Sequence, residues 1–310
     1  MAWNGSAASS LSASRPPVPS WPPYGTALPE SVITFIAVVF GASPAQKSIG
    51  VGAALGGPLV LATIAYAVVG ATLLLCRRRL PNTEVVRDVF KRLSRDQGWF
   101  LIIFVVKLGL GLVVFAYKPW IGILFLVAYG AYFRKEIYGE QGSGEDDELE
   151  PLKLTPRRET PATGAAIAQT LTALVVIFLA SHFFVNQLDV LGPLLGIQPQ
   201  LLALLLSPIA TELPETLNAV IWVRQGKYPL ALANISGSMM IQATVPTALG
   251  LFFTPWLFDR SLILAAVVTL VAVAIMFFAF HRGIISRLLL TSMAAFYGVF
   301  AVLLVVLHPG

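Results

Sequence analysis

Long apolar segments alternate with short polar stretches along the chain, and nine such segments can be read from the sequence. Most are close to the roughly 20 residues that a helix needs to cross a hydrocarbon core. Helices are favoured over strands because lipid-exposed backbone must satisfy its own hydrogen bonds, and barrel strands would be about half as long. The pattern predicts an all-α, polytopic membrane protein with about nine transmembrane helices, near residues 25–41, 48–76, 99–116, 119–133, 164–185, 199–223, 228–253, 261–280 and 284–307.

The composition agrees with a membrane protein. Hydrophobic residues make up 56% of the 310 positions and charged residues only 12%, whereas a soluble domain carries about 25% charged residues. The mean hydropathy is +0.78. The net charge of +5 does not indicate a nucleic-acid partner, because the basic residues cluster at the ends of the apolar segments. The expected partners are therefore membrane lipid and transported cations.

Lysine and arginine are unequally distributed between the two sides of the predicted membrane. Loops on one side hold 16 basic residues, whereas only Lys47, Lys118 and Arg260 fall on the other side. Cytoplasmic loops carry the excess of positive charge, so the richer side is assigned to the cytoplasm. This orientation places the amino terminus in the cytoplasm and the carboxyl terminus outside. We expect the membrane to be a bacterial plasma membrane.

The chain divides into four regions. Residues 1–23 are rich in Ser and Pro and are predicted to be disordered. Residues 24–138 and 163–310 each contain a motif helix, a short turn and a helix with glycine near its first third, and the acidic stretch 139–162 joins them as a cytoplasmic linker. The two motif helices run in opposite directions under the predicted topology. The halves are therefore predicted to form an inverted repeat, an architecture of many secondary transporters.

A short phrase with an intramembrane glutamate occurs once in each half. The first copy runs from Thr26 to Glu30 and the second from Thr211 to Glu215, with a proline before each glutamate. The spacing of four places the hydroxyl and the carboxylate on one helix face. Either copy alone is also compatible with a kinked helix that holds a protonated glutamate. Because intramembrane ionisable residues are costly and usually functional, the repeated phrase predicts a cation site shared by the halves.

Further oxygen atoms lie near the two motifs. Each proline lacks an N–H and leaves the carbonyl four residues earlier without its helical partner, which nominates the backbone carbonyls of Gly25 and Ala210. On the following helix of the second half, Asn234, Ser238 and Gln242 add neutral oxygens. Calcium takes about six to eight oxygen ligands. The residues therefore predict a site for a hard cation, Ca²⁺ or Na⁺, without a cofactor.

The charges in these helices favour a cation that exchanges with protons. Glu30, Glu212 and Glu215 are the only acids placed within the predicted spans. Close carboxylates cannot all remain ionised in a low dielectric without a bound cation or proton, and Glu212 is nominated as the proton-linked group. Lys107 falls in a different helix. A snorkelling stem or an ion pair is favoured there over a role as a ligand.

These motifs resemble the two alpha repeats of the cation/calcium exchanger superfamily, whose members include sodium/calcium and proton/calcium antiporters. The similar stretches are residues 25–30, 54–57, 210–215 and 234–238. The resemblance implies ten transmembrane helices in two inverted halves. It also implies that Glu30 and Glu215 are the central metal ligands. Further ligand oxygens are implied for Thr26, Thr211 and Ser238.

The chain departs from the family pattern in three places. The residue after the motif threonine is Ala27 in one copy and Glu212 in the other, where the family has serine. Leu61 and Gln242 occupy the position of a further Asn or Asp. The family's first helix is absent, because the proline-rich stretch 16–23 cannot extend a helix across a bilayer. We therefore expect an amino-terminally truncated chain, and the changed ligands favour proton coupling.

The sequence thus predicts a secondary active antiporter, not an enzyme, that exchanges Ca²⁺ or a similar cation for Na⁺ or H⁺ through carboxylates at the membrane midplane. A membrane protein that binds cations without transporting them is the alternative, since the first half has lost ligand oxygens. An intramembrane hydrolase is disfavoured because the sequence has no His-Glu-x-x-His phrase. The driving ion, the exchange ratio and the oligomeric state stay open.

Overall fold

The computed structural model describes residues 28–77, 87–139 and 163–307. Every regular element within those ranges is helical, which confirms the predicted all-α class. Two π-helical turns, Ile36–Phe40 and Leu61–Ala65, and one 3-10 turn, Lys118–Trp120, lie between α-helices. The α-helices of these ranges are α1 Leu28–Phe35, α2 Pro44–Val60, α3 Tyr66–Leu75, α4 Arg87–Leu112, α5 Ile121–Gly139, α6 Thr163–Leu195, α7 Pro199–Thr211, α8 Leu213–Arg224, α9 Tyr228–Phe253, α10 Arg260–Arg282, α11 Arg287–Ser292 and α12 Ala294–Leu307.

Five helical spans in the described ranges are long and apolar enough to cross a membrane, judged by length and composition. A shorter apolar helix covers Pro29–Phe40. The five spans are Pro44–Leu75, Ile167–Leu195, Tyr228–Phe253, Arg260–Arg282 and Arg287–Val306. They agree with an integral membrane protein, and the total of nine transmembrane helices stays a prediction. The predicted terminus 1–23 and all but the first residue of the predicted linker 139–162 lie outside the described residues.

The predicted segment 199–223 is two helices rather than one. α7 and α8 meet on either side of Glu212, which belongs to neither. Pro214 has no amide hydrogen for the carbonyl four residues earlier, so helical hydrogen bonding cannot continue through this point. The Glu212 N–H still makes the ordinary helical hydrogen bond of α7, to the Pro208 carbonyl oxygen at 2.9 Å. The break therefore places the second motif at a helix junction.

The predicted start of the second segment, at residue 48, is wrong. α2 begins at Pro44 because Ser43 caps it, with the Ser43 Oγ accepting a hydrogen bond from the Gln46 N–H at 3.1 Å. Serine is among the preferred N-cap residues, and proline fits the first turn because that turn has no partner for its N–H. The capping residues thus decide this boundary, whereas apolar periodicity places it one turn too late.

The predicted end of the fifth segment, at residue 185, is also wrong. α6 continues to Leu195, since apolar residues such as Leu188 and Leu191 recur at helical spacing beyond that point. The helix therefore includes Asp189, which is partly exposed. The expectation that three glutamates are the only acids within the spans is corrected accordingly.

Glycine lets the backbones of α2 and α7 touch. A Cβ on Gly52 would overlap the carbonyl oxygen of Gln200, and a Cβ on Gly56 would overlap that of Leu204. Only a residue without a side chain permits so close an approach. The contact fixes α2 directly beside the helix that ends in the second motif.

α9 and α6 occupy opposite environments. α9 is buried along most of its length, including the polar side chains of Ser238 and Gln242. α6 instead exposes large apolar side chains, among them Phe178, Leu179 and Phe183. An apolar outer surface suits a helix that faces lipid, because lipid tails are as apolar as leucine. The candidate site therefore lies around α9, on the inner side of the bundle.

Candidate functional site

A hydrogen bond joins the first motif to the second. The Thr211 hydroxyl, at the end of α7, donates to Glu30 Oε2 in α1 at 2.6 Å across 181 positions of sequence. The Ser207 hydroxyl, one turn earlier in α7, lies 3.4 Å from the same carboxylate oxygen. An acid of the first half is thus held by hydroxyl groups of the second half.

Glu212 extends this network to α9. Its Oε1 lies 3.1 Å from the Thr211 hydroxyl and accepts a hydrogen bond from Gln242 Nε2 at 2.6 Å. The Gln242 amide in turn packs on α2, where a Cβ on Gly57 would lie 2.6 Å from Gln242 Oε1. Four helices and the junction between α7 and α8 therefore converge on one polar centre.

The polar centre is closed to solvent. Glu30, Thr211 and Glu212 are 1%, 3% and 2% exposed, and Glu215 and Gln242 are 0% exposed. Charged side chains are almost never fully buried unless they are paired. Covered by protein on all sides, these groups define an occluded site rather than an open cleft.

Glu215 adds a third carboxylate to the centre. It lies in the first turn of α8, one turn after Glu212. Repulsion couples the charge of Glu215 to those of Glu30 and Glu212. Three like charges at this depth cannot all stay ionised without protons or a cation to offset them.

The Thr211 hydroxyl has one proton for three acceptors. Its oxygen lies 2.6 Å from Glu30 Oε2, 3.1 Å from Glu212 Oε1 and 3.0 Å from the Ser207 carbonyl oxygen. A hydroxyl donates once. Both carboxyl contacts are hydrogen bonds only when one carboxyl group carries a proton of its own. The geometry therefore suits a proton held between Glu30 and Glu212.

Several buried oxygens at the centre accept no hydrogen bond from any described residue. They are Glu30 Oε1, Glu212 Oε2 and Gln242 Oε1, and Ser238 Oγ, one turn before Gln242 in α9, likewise accepts none. Most buried polar atoms in proteins have a partner, and carboxylate, hydroxyl and amide oxygens are the ligands that hard cations prefer. Within the described residues no group of three His, Cys, Asp or Glu has metal-holding geometry. A cation here would therefore need the neutral oxygens as well as the acids.

Comparisons with known proteins agree with a transporter fold. Residues 165–306 match the family described as sodium/calcium exchanger protein. This match lies within the second half of the chain and is the family of the predicted resemblance. A crystal structure of an H⁺/Ca²⁺ exchanger, CAX, has a similar fold, with a TM-score of 0.55, 14% sequence identity and coverage of 91% of this chain and 78% of that one. Comparison with curated protein sequences finds no match.

The family match confirms the predicted resemblance to the cation/calcium exchanger superfamily. The matched family and the shared fold are those of transporters rather than enzymes, and transporters of this family carry ions as substrates without a cofactor. The family match covers the second half, which holds Thr211, Glu212, Glu215 and Ser238. The match to the CAX fold extends over most of the chain.

The structure brings most of the predicted site residues together. Glu30, Thr211, Glu212 and Gln242 share one hydrogen-bonded network. Ser238 is buried on α9. Roles in cation binding for these residues and for Glu215 stay predictions. The roles predicted for Thr26 and for the carbonyls of Gly25 and Ala210 also stay predictions. Thr26 and Gly25 lie outside the described residues, and Ala210 is exposed.

Two residues near the site were missed or misread from the sequence. Ser207 was overlooked, although its spacing of four from Thr211 places both on one helix face. Lys107 does not snorkel, because it is 0% exposed and its Nζ donates to the Ala54 carbonyl oxygen at 2.7 Å. The sequence could not reveal this, since the Trp256 ring near the ammonium comes from a distant loop.

Proposed function

We propose that this chain is a secondary active antiporter that moves Ca²⁺ or a similar cation against Na⁺ or H⁺ through the occluded carboxylate site. The observation that carries the proposal is the 2.6 Å hydrogen bond between Thr211 and Glu30, which unites the two motifs in one buried centre. The fold shared with an H⁺/Ca²⁺ exchanger supports the same conclusion.

The chemistry of the site suits a hard divalent cation. Glu30 and Glu215 act as its central ligands, and Thr211, Ser238 and Gln242 supply neutral oxygens. Burial strengthens the attraction because the low dielectric of the interior does little to screen charge. The same burial makes an empty, fully ionised site costly. The site therefore holds either a metal or protons, and this exclusion is the physical basis of exchange.

Glu212 is the proton-linked group of the proposed cycle. It shares the Thr211 hydroxyl with Glu30 and lies at the helix break. When the cation leaves, protons neutralise the carboxylates. When the cation returns, it displaces those protons. Because the three acids interact, their protons leave as a coupled set rather than one residue at a time.

Alternating access follows from the proposed architecture. Regions 24–138 and 163–310 form two halves of inverted topology, and the site between them is exposed to each side of the membrane in turn. The linker 139–162 and the amino terminus lie in the cytoplasm in this arrangement. The occluded site, with its acids at most 2% exposed, corresponds to the state between inward and outward opening.

A cation-binding protein without transport is the second candidate. Leu61 is fully buried in the π-helical turn after α2, where an oxygen ligand is expected from the family resemblance. A site that lacks ligands on one side binds cations without completing a transport cycle. Cation binding with no gradient-driven flux would favour this function over exchange.

Flux in proteoliposomes tests the proposal. Calcium uptake is measured first under a sodium gradient and then under a pH gradient, which also identifies the driving ion. E30Q and E215Q each remove one central charge, and we expect uptake to fall by at least about 100-fold, since a charge pair at close range in the interior is worth several kcal/mol. D189N serves as a matched control, because Asp189 is a partly exposed acid of α6, and it should retain uptake. Undiminished flux in both glutamine variants would refute the site.

A further inference from the structure

A cavity of about 670 Å³ lies between the amino-terminal half of α4 and the end of α10. Ligand sites in proteins usually have volumes of about 300–1,000 Å³. None of the residues of the polar centre lines this cavity. It is therefore large enough for a small ligand or a headgroup, and it is separate from the proposed exchange site.

Five exposed basic side chains form the rim of the cavity. They are Arg87, Lys91 and Arg95 of α4 and His281 and Arg282 of α10, and among the described residues no carboxylate lines the space. Lys91 pairs with Asp88 at 3.8 Å, and Arg95 Nε lies 4.0 Å from Asp96 Oδ1. Within the part of the chain that the structure describes, neither Arg87 nor Arg282 forms an ion pair. A concentration of one sign of charge attracts ligands of the other sign, so this basic rim favours an anion.

Aromatic rings line the cavity beneath the basic rim. Phe90 and Phe280 are 4% and 1% exposed, and their ring centroids are 5.9 Å apart. Phe277 lies against α4 at Gly98, where a Cβ would be 3.2 Å from the Phe277 ring, and His281 stacks on Phe277 with the centroids 5.9 Å apart. The cavity thus combines a positive entrance with an apolar interior, which suits a ligand that is both anionic and apolar.

An exposed apolar stripe on α10 leads directly to the basic rim. Val267, Val271 and Phe278 are 45%, 45% and 56% exposed, and Arg282 follows Phe278 by one turn on the same helix face. α10 is one of the spans that are long and apolar enough to cross a membrane. We therefore expect the stripe to meet acyl chains and the end of α10 to lie among the headgroups. A lipid on the stripe would have its phosphate at the rim.

We propose that this cavity binds the headgroup of one anionic phospholipid, with the phosphate held by the basic rim and an acyl chain along the stripe of α10. Basic pockets between membrane helices are suited to anionic headgroups, and anionic lipids give the cytoplasmic leaflet its negative surface. The predicted orientation assigns this end of α10 to the cytoplasm. A free anion or an acidic peptide segment would use the rim but not the stripe, so the stripe favours a lipid. The inference goes beyond the proposed function, because the cavity contains none of the exchange-site residues.

Thermal unfolding of the full chain in a neutral detergent and phosphate-free buffer tests the proposal. Dioleoylphosphatidylglycerol is titrated into the protein, and the measured quantity is the lipid concentration that gives half of the maximal rise in unfolding temperature. The zwitterionic dioleoylphosphatidylcholine should give no comparable rise at the same concentrations. We expect R87Q/R282Q to raise the half-maximal concentration of the anionic lipid by about tenfold or more, since each basic residue near a membrane surface contributes separately to the attraction.

Two matched variants separate the basic rim from net charge and from folding. K47Q/R260Q removes the same charge, but Arg260 begins α10 at its other end and Lys47 lines a different cavity. R87K/R282K keeps the charge of the rim. Both should bind the anionic lipid within about threefold of wild type. If R87Q/R282Q does not fold, K91Q takes its place, because Lys91 is 66% exposed, and it should raise the half-maximal concentration by about threefold or more.

Three results would overturn the lipid site. One is an equal response of wild type, R87Q/R282Q and K47Q/R260Q to the anionic lipid, and another is full protection by inorganic phosphate alone, which would assign the cavity to a free anion. The third is protection by the lipid only after the acids of the linker are changed to amides, which would assign the cavity to the linker; the acids are Glu145, Asp146, Asp147, Glu148 and Glu150. Binding is measured without transport, so none of these results bears on exchange, and loss of flux alone leaves the lipid site standing.

Discussion

The two copies of the motif contribute different things to one site. The first copy supplies a single described carboxylate, Glu30, and the helix that follows it packs through glycine backbone. The second copy supplies Thr211, Glu212 and Glu215, and the helix that follows it adds Gln242. One half therefore provides close packing, and the other provides most of the polar atoms.

The difference shows how two similar sequence motifs can contribute separately to packing and to chemistry. Helix backbones approach closely only where side chains are absent, and such a surface has few atoms left to bind an ion. Polar groups gather instead where the helix breaks at Glu212 and backbone hydrogen bonding is already interrupted. Substitutions in α2 should therefore act mainly on stability, and substitutions around the break should act mainly on ion binding.

The largest effect is expected for G56A in α2. The added methyl would overlap the Leu204 carbonyl oxygen, and backbone cannot move aside as a flexible side chain can. Overpacking of this kind costs about 1–3 kcal/mol and occasionally more. G298A is the control, because a Cβ on Gly298 in α12 meets nothing within 4 Å. Thermal unfolding in detergent should show a loss for G56A only, and equal unfolding temperatures would contradict the backbone contact.

A smaller effect is expected for T211V at the helix break. Valine keeps the shape but removes the hydroxyl shared by Glu30 and Glu212, and a buried acceptor that loses its donor costs about 1–3 kcal/mol. The Ca²⁺ concentration that gives half-maximal protection of the chain against thermal unfolding in detergent should rise by about tenfold. T247V is the control, since among the described residues the Thr247 hydroxyl bonds only the Ala243 carbonyl of its own helix. An unchanged response in T211V would show that this hydroxyl does not connect the motifs.

The smallest effect is expected for S207A. The Ser207 hydroxyl is 3.4 Å from Glu30 Oε2, which is at the long end of a hydrogen bond, and Thr211 remains as the shorter donor. A stability change below about 1 kcal/mol is expected, because a typical hydrogen bond contributes about 0.5–1.5 kcal/mol. A loss as large as that of T211V, measured in the same unfolding assay, would mean that both hydroxyls hold Glu30 equally.

Much of the fold and part of the site could be predicted from the sequence, for physical reasons that differ by residue. Apolar length indicated membrane helices, and the repeated Thr and Glu at a spacing of four indicated one helix face. The Ser43 cap was missed because it depends on a local hydrogen bond rather than on hydropathy. The continuation of α6 could have been predicted, because apolar residues recur at helical spacing beyond residue 185. The setting of Lys107 depends on Trp256, which only tertiary packing brings near.

The glycine contact between α2 and α7 limits the routes that an ion can take. Where Gly52 and Gly56 meet the backbone of the neighbouring helix, no side chain can swing aside to open a passage. In the proposed transport cycle we therefore expect α2 and α7 to move together as one rigid unit. In that cycle, ions would enter and leave along faces of the bundle other than the contact between α2 and α7.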